Sequence, residues 1–309
     1  MRFLLFLQSA CFRFRNTKMA NTLSKNIPTV TLANGITMPV AVFGVYQLKD
    51  PAECQKAVED AITAGYRAID TAASYGNEAA VGAALRHCGV PREELFITTK
   101  LWVEDASEEG ARRAVTRSLE LLGVDYIDLF LIHQPVGDVY GAWRTIEDFY
   151  DKGILRAIGV SNFSADRLVD FCHHQRIRPM VNQVEINPFC QQKAAREVMK
   201  KYSVQPEAWA PFAEGRNGLF TNPVIAEIAK KHARTVGQIV LRYIFELGAV
   251  VAAKTVRPER MRENLDIFTF SLDAEDHAKL AALDTATSQF FSHQDPAFIE
   301  WFCSRHIEH

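Results

Sequence analysis

Eight short apolar runs, each followed by a stretch with helical spacing, most constrain what this chain can fold into. The runs are residues 40–43, 68–70, 95–98, 127–132, 157–160, 180–184, 204–209 and 249–253. In the intervening segments, apolar residues recur at three and four positions. Ala57, Val58, Ala61 and Ile62 share one helical face, as do Ala111, Ala114, Val115, Ser118, Leu119 and Leu122. Ile239, Val240, Tyr243, Ile244 and Leu247 repeat the pattern. Strands that alternate with helices pair in parallel, because each helix returns the chain to the same end of the sheet. Eight such units predict an α/β fold, a closed (β/α)8 TIM barrel. A doubly wound open sheet is the alternative, but no GxGxxG follows an early strand.

Local signals agree with this frame. Residues 29–38 alternate about Asn34-Gly35 and predict a β-hairpin ahead of the first barrel strand, a cap on its N-terminal end. Asp50-Pro51 opens one helix, and Gly65, Gly89 and Gly123 follow others. At 309 residues and 48% apolar, the chain has ample material for one large core. We expect a single domain over residues 19–309. Residues 1–18, apolar then basic, are too short in their apolar part to span a bilayer. A signal peptide or an organelle presequence fits less well than upstream sequence or a disordered extension before a functional start at Met19.

Charge and cysteine usage exclude several function classes. Lys and Arg number 35 against 37 Asp and Glu, for a net charge of −2. No basic face or tail points to nucleic acid. No later segment approaches membrane-span length. The six cysteines form no CxxC pair and no zinc spacing, so we expect free thiols, no metal and a cytoplasmic location.

In such barrels the chemistry sits where the strands end, at the C-terminal face. The second run ends at Asp70, with Tyr75 in the loop beyond. The third ends at Lys100, the fourth at His133 and the fifth at Ser161-Asn162. The sixth ends at Gln183 and Glu185, the seventh at Trp209, and the eighth at Lys254-Thr255. Each alone has a structural explanation: a packed aromatic, an ion pair, a core histidine. A whole ring of polar ends is harder to explain by structure, because buried ionisable groups are costly unless paired.

Three ordered blocks then carry a resemblance. Residues 65–82 read GYRAIDTAASYGNEAAVG, residues 153–163 read GILRAIGVSNF, and residues 254–264 read KTVRPERMREN. With TTK at 98–100 and LIHQP at 131–135, the chain from about Ile27 onward resembles the aldo-keto reductase family, most of all its microbial aldehyde, diketogluconate and prostaglandin F synthase-like members. The resemblance implies NADPH-dependent carbonyl reduction by a catalytic tetrad. Tyr75 would be the general acid, Asp70 and Lys100 the pair that tunes it, and His133 the group that orients the carbonyl. A phenol near pKa 10 is a poor acid at neutral pH, and a nearby ammonium is expected to lower that value.

By the same resemblance, Ser161, Asn162 and Gln183 hold the nicotinamide carboxamide, and Trp209 stacks on its ring where the family usually has tyrosine or phenylalanine. Lys254, Thr255, Arg260 and Asn264 grip the adenosine 2′-phosphate and adenine. Arg and Lys suit a phosphate, while Glu263 nearby leaves some NADH use open. Ala252-Ala253 and Ala210 depart from the usual apolar-Pro pair and serine. Phe43, Tyr46 and Trp102 are candidate substrate walls. With Trp301, the aromatic C-terminal stretch at Phe290, Phe291 and Phe298 forms a candidate substrate loop. The partner implied is a small carbonyl compound, and the protein is expected to be a monomer.

Two other classes remain on the sequence alone. One is a non-catalytic NADPH-binding regulatory or structural protein on the same fold, which the complete tetrad opposes. The other is a Schiff-base enzyme with Lys100 as nucleophile, which the Asp70 counter-ion opposes.

Overall fold

In the computed structural model, which describes residues 27–307, strands of the predicted runs close on themselves. A hairpin of β1 (Thr29–Thr31) and β2 (Thr37–Pro39) precedes the barrel. The barrel strands are β3 (Ala41–Gly44), β4 (Ala68–Asp70), β5 (Phe96–Leu101), β6 (Ile127–Ile132), β7 (Leu155–Ser161), β8 (Val181–Glu185), β9 (Gln205–Trp209) and β10 (Val250–Ala253). All neighbours are parallel and in sequence order, and β10 pairs with β3 through Val251 opposite Ala41 to close the ring. The open-sheet alternative is thereby excluded.

Helices α1 (Pro51–Ala64), α2 (Glu78–His87), α3 (Glu108–Leu122), α4 (Val139–Asp151), α5 (Ala165–His174), α6 (Lys193–Tyr202), α7 (Pro223–Lys231) and α8 (Val236–Glu246) lie between strands. Then come α9 (Pro258–Leu265), α10 (Ala274–Ala281) and α11 (Pro296–Ser304). The predicted faces are the buried ones: Ala57, Val58, Ala61 and Ile62 on α1, and Ala111, Ala114, Val115 and Ser118 on α3. The ends follow local chemistry. Asp50 caps α1 by accepting from the Glu53 N–H, and Ser107 caps α3 by accepting from Gly110. Gly123 ends α3 in the left-handed region, where a side chain would be strained.

The hairpin turn is longer than a two-residue loop. Gly35 at φ 87° follows a turn closed by its N–H to Leu32 O, with Leu32 N donating to Ile36 O. Asn34 then reaches across to donate to the Arg156 carbonyl at the start of β7 (2.9 Å), so the hairpin is tied to the N-terminal end of the barrel. The opposite end is left open for chemistry. The expected extension over residues 1–18, with the start at Met19, lies outside the described residues. Among the described residues no helix is long and apolar enough to cross a membrane, and no cluster of His, Cys, Asp or Glu is arranged to hold a metal ion.

Candidate active site

The C-terminal strand ends surround a cavity of about 820 Å³. Asp70, on its lining, belongs to a buried ion pair. The Lys100 Nζ donates to both Asp70 carboxylate oxygens at 2.7 Å and to the Thr71 carbonyl at 2.9 Å. Lys100 is fully buried and Asp70 nearly so. Both arrive there because β4 and β5 are adjacent and parallel, with Asp70 beside Thr98 in register, so the two side chains rise from neighbouring strand ends. Tyr75 follows in a short 3-10 turn after β4, and its hydroxyl lies 3.5 Å from Lys100 Nζ.

Burial works against the Lys100 ammonium, but Asp70, with Tyr75 and Glu207, outweighs it and holds the lysine above its ordinary value. The expectation for Tyr75 is corrected. Burial pushes its phenol up to about 12, and the nearby ammonium pulls back without overcoming this. The physical reason is that Lys100 already faces the Asp70 carboxylate, whose own charge also raises the phenol.

His133 follows β6 directly and stands edge-on to both Tyr75 and Trp102, with ring centroids 5.7 and 5.3 Å away. Its Nδ1 lies 3.3 Å from the Ser74 hydroxyl. Burial, then the positive charges of Lys100 and Arg305, hold its pKa well below the usual 6.5. His293, on the C-terminal stretch, is likewise lowered by burial to about 4, and its Nε2 donates to Gln134 Oε1. Both rings are neutral in the folded protein and gain a proton on unfolding once the pH drops below about 6.5. The unfolded chain then binds more protons, so stability contributed by these sites is lost as pH falls from about 6.5 toward 4. Urea midpoints measured from pH 7 to about 4.5 should decline, and His293→Asn should make that decline shallower. An unchanged slope in the variant would show that His293 is not held neutral.

The remaining strand ends form a linked polar floor. Ser161 Oγ donates to the Gln183 carbonyl (2.8 Å), and Gln183 Nε2 donates to Asp70 Oδ1 (3.0 Å). Asn162, at φ 64°, donates to the His133 carbonyl and to Ser161 Oγ. Trp209 does more than offer a ring: its indole N–H donates to Asn162 Oδ1 at 2.9 Å, a bond phenylalanine could not make. Its face packs near Phe290 and Phe291. Lys254 also lines the cavity. Thr255 and Arg260 do not line it, Arg260 being exposed on α9, while Asn264 on the same helix is buried against the Tyr66 hydroxyl. Neither Lys254 nor Arg260 pairs with a carboxylate among the described residues. Glu263 accepts from the Thr235 hydroxyl.

Of the expected walls, Tyr46, Trp102 and Trp301 line the cavity, with Phe298 and Phe302. Phe43 does not, and that assignment is corrected. It is fully buried, edge-on to Tyr66, while its neighbour Gly44 faces the cavity. Successive strand residues point to opposite sides. The C-terminal stretch is fastened over the mouth at several points. Glu185 accepts from Ser288 Oγ and the Gln289 N–H, and Trp102 Nε1 donates to the Arg305 carbonyl.

Sequence reasoning missed Ser74, Arg305 and, deeper in the barrel, Glu207, which is fully buried on β9. Glu207 was visible as the one acid inside the run 204–209.

Comparison with known proteins gives one consistent answer. The family model described as "Aldo/keto reductase family" matches residues 41–285. The chain is 45% identical over 257 residues to the glyoxal reductase of Bacillus subtilis, covering 83% of this chain and 92% of that protein. Among solved structures, an aldo/keto reductase from Brucella melitensis is 40% identical with a TM-score of 0.81, covering 84% of this chain and 98% of that one. A Bombyx mori aldo-keto reductase in complex with NADP is 32% identical, TM-score 0.81, covering 86% and 95%. The barrel, the strand-end constellation and a family match over most of its length together place the chain in the aldo/keto reductase family.

Proposed function

We propose that this protein reduces aldehydes and ketones to alcohols with NADPH, and that Tyr75 delivers the proton. The observation that carries the reading is the Lys100 ammonium, held by both oxygens of Asp70 and directed at the Tyr75 hydroxyl beneath an aromatic-walled cavity. Ser161, Asn162 and Gln183 present amide and hydroxyl groups suited to a carboxamide, and Trp209 presents a flat face. Lys254 and Arg260 offer cations with no carboxylate partner among the described residues, as a 2′-phosphate requires. An NAD site would favour an acid on the ribose hydroxyl, and Glu263 is engaged by Thr235 instead. When bound, NADPH supplies the hydride that the carbonyl carbon accepts.

The protein's own residues do the rest. With Ser74 donating to Nδ1, neutral His133 carries its proton on Nε2 and can donate to the carbonyl oxygen, orienting and polarising it. Tyr75 then gives its proton to that oxygen as negative charge builds there. A raised phenol pKa keeps the donor protonated at every physiological pH. The transfer still runs downhill, because an alkoxide is a far stronger base than a phenolate. Lys100 stabilises the phenolate left behind, and solvent restores its proton.

The Bacillus subtilis relative is named a glyoxal reductase, so small dicarbonyl aldehydes head the substrate panel. Mixing the protein with NADPH and glyoxal, methylglyoxal or an aromatic aldehyde should consume NADPH absorbance above the blank. No consumption with any of them would overturn the reading. For the cofactor, Lys254→Ala and Arg260→Ala should each weaken NADPH binding by about tenfold, the scale of one charge-assisted hydrogen bond, and NADH binding far less. Equal weakening of both cofactors in fluorescence titrations would show that these residues do not hold the phosphate.

A further inference from the structure

The fold satisfies its other buried acids with care. Asp128 on β6, also fully buried, accepts from Arg92, Arg156 and the Ile97 N–H, all within 2.9 Å. Glu207 on β9 is different: it is fully buried, and neither carboxyl oxygen reaches good hydrogen-bond geometry with any described residue, although the Gln183 amide lies close enough to act on it. Such a group is costly unless something requires it.

Its position suggests the requirement. In register, Glu207 lies beside Gln183 on β8 and Val250 on β10. Gln183 donates to Asp70, the carboxylate that holds Lys100. Asp70 from β4 and Lys100 from β5 are the charged groups that act on Glu207, β8 supplies the neutral Gln183 amide, and β10 supplies an uncharged valine. Two carboxyls therefore share one ammonium. Asp70 takes both of the lysine's short contacts, which leaves Glu207 to remain a neutral acid.

We propose that Glu207 is a positioning residue for proton delivery: while protonated it leaves the Lys100–Asp70 pair neutral beneath Tyr75, and on ionising it slows reduction. The role rests on Tyr75 being the acid. When Tyr75 gives up its proton, negative charge appears on its oxygen. A second uncompensated carboxylate below would oppose that charge, while a neutral carboxyl does not. The relevant pH range is set by burial and then by the Asp70 charge, which push Glu207 up to about 8, with Lys100 and Gln183 pulling back. Tyr75, raised to about 12, and Lys100, held above its ordinary value, stay out of that range.

Two measurements test the role. Single-turnover reduction of an aromatic aldehyde by the NADPH complex should fall about threefold or more between about pH 7 and 9.5. Glu207→Gln, which keeps the shape but cannot ionise, should remove that fall, and Glu207→Asp should restore it. In the wild-type protein, infrared difference spectra should show a carboxylic-acid C=O band present near pH 7 and lost above about pH 8, and Glu207→Gln should lack it. The same alkaline fall in Glu207→Gln, or no titrating band in the wild type, would overturn the role alone. Full turnover in Tyr75→Phe would instead overturn the Tyr75 reading and, with it, this role.

Discussion

Replacing Tyr75 by phenylalanine is expected to lower the reduction rate by roughly 10² to 10⁴-fold, the usual weight of general acid catalysis. The substitution removes one hydroxyl and keeps the ring. The contacts of that ring with Tyr46, at 5.0 Å between centroids, and with His133 should therefore survive. Among the described residues the hydroxyl's polar contact is the 3.5 Å approach of Lys100, long for a hydrogen bond. Fold stability and NADPH affinity should consequently stay close to those of the wild type. The measurement is single-turnover reduction, where chemistry rather than product release sets the rate, alongside urea unfolding and an NADPH titration. Near-normal single-turnover rates with a good aldehyde would remove Tyr75 from the acid role.

Lys100→Met should be comparably damaging to the rate for a different reason, and should also weaken the fold. Lys100 is the cation that Asp70 and Glu207 share. Its loss leaves the buried Asp70 carboxylate with no counter-charge and deprives the Thr71 carbonyl of its donor. Breaking a buried pair by removing one partner typically costs about 3–5 kcal/mol. The urea midpoint should fall accordingly, whereas in Tyr75→Phe it should not. Asp70→Asn should be milder, since the ammonium remains and Thr71 still accepts from it. The contrast between the variants is the test: inactive and stable for Tyr75→Phe, inactive and destabilised for Lys100→Met. A Lys100→Met protein as stable as the wild type would mean that the ion pair contributes nothing to the fold.

The sequence by itself determined the barrel and the ring of polar strand ends. Both are local properties. The strand–helix alternation and the caps at Asp50, Gly65 and Gly123 depend on residues a few positions apart, and eight parallel units leave few ways to close a core. Asp70, Lys100 and His133 were legible because each ends an apolar run, which marks the C-terminal face of its strand. Everything that depends on which side of a strand a residue faces, or on charges distant in sequence, was decided only by tertiary structure. A barrel strand is covered on both faces, so it reads as a continuous apolar run without alternation. Phe43 could therefore not be told from a cavity-facing residue, and it turned outward against Tyr66. The direction of the Tyr75 shift reversed for a related reason. Proximity to Lys100 could be guessed from order along the chain, but desolvation of the phenol, and the commitment of the ammonium to Asp70, exist only once strands β4 and β5 stand side by side. Glu207 is the clearest case: 137 positions separate it from Asp70, and only the closed barrel puts two carboxyls within reach of one lysine.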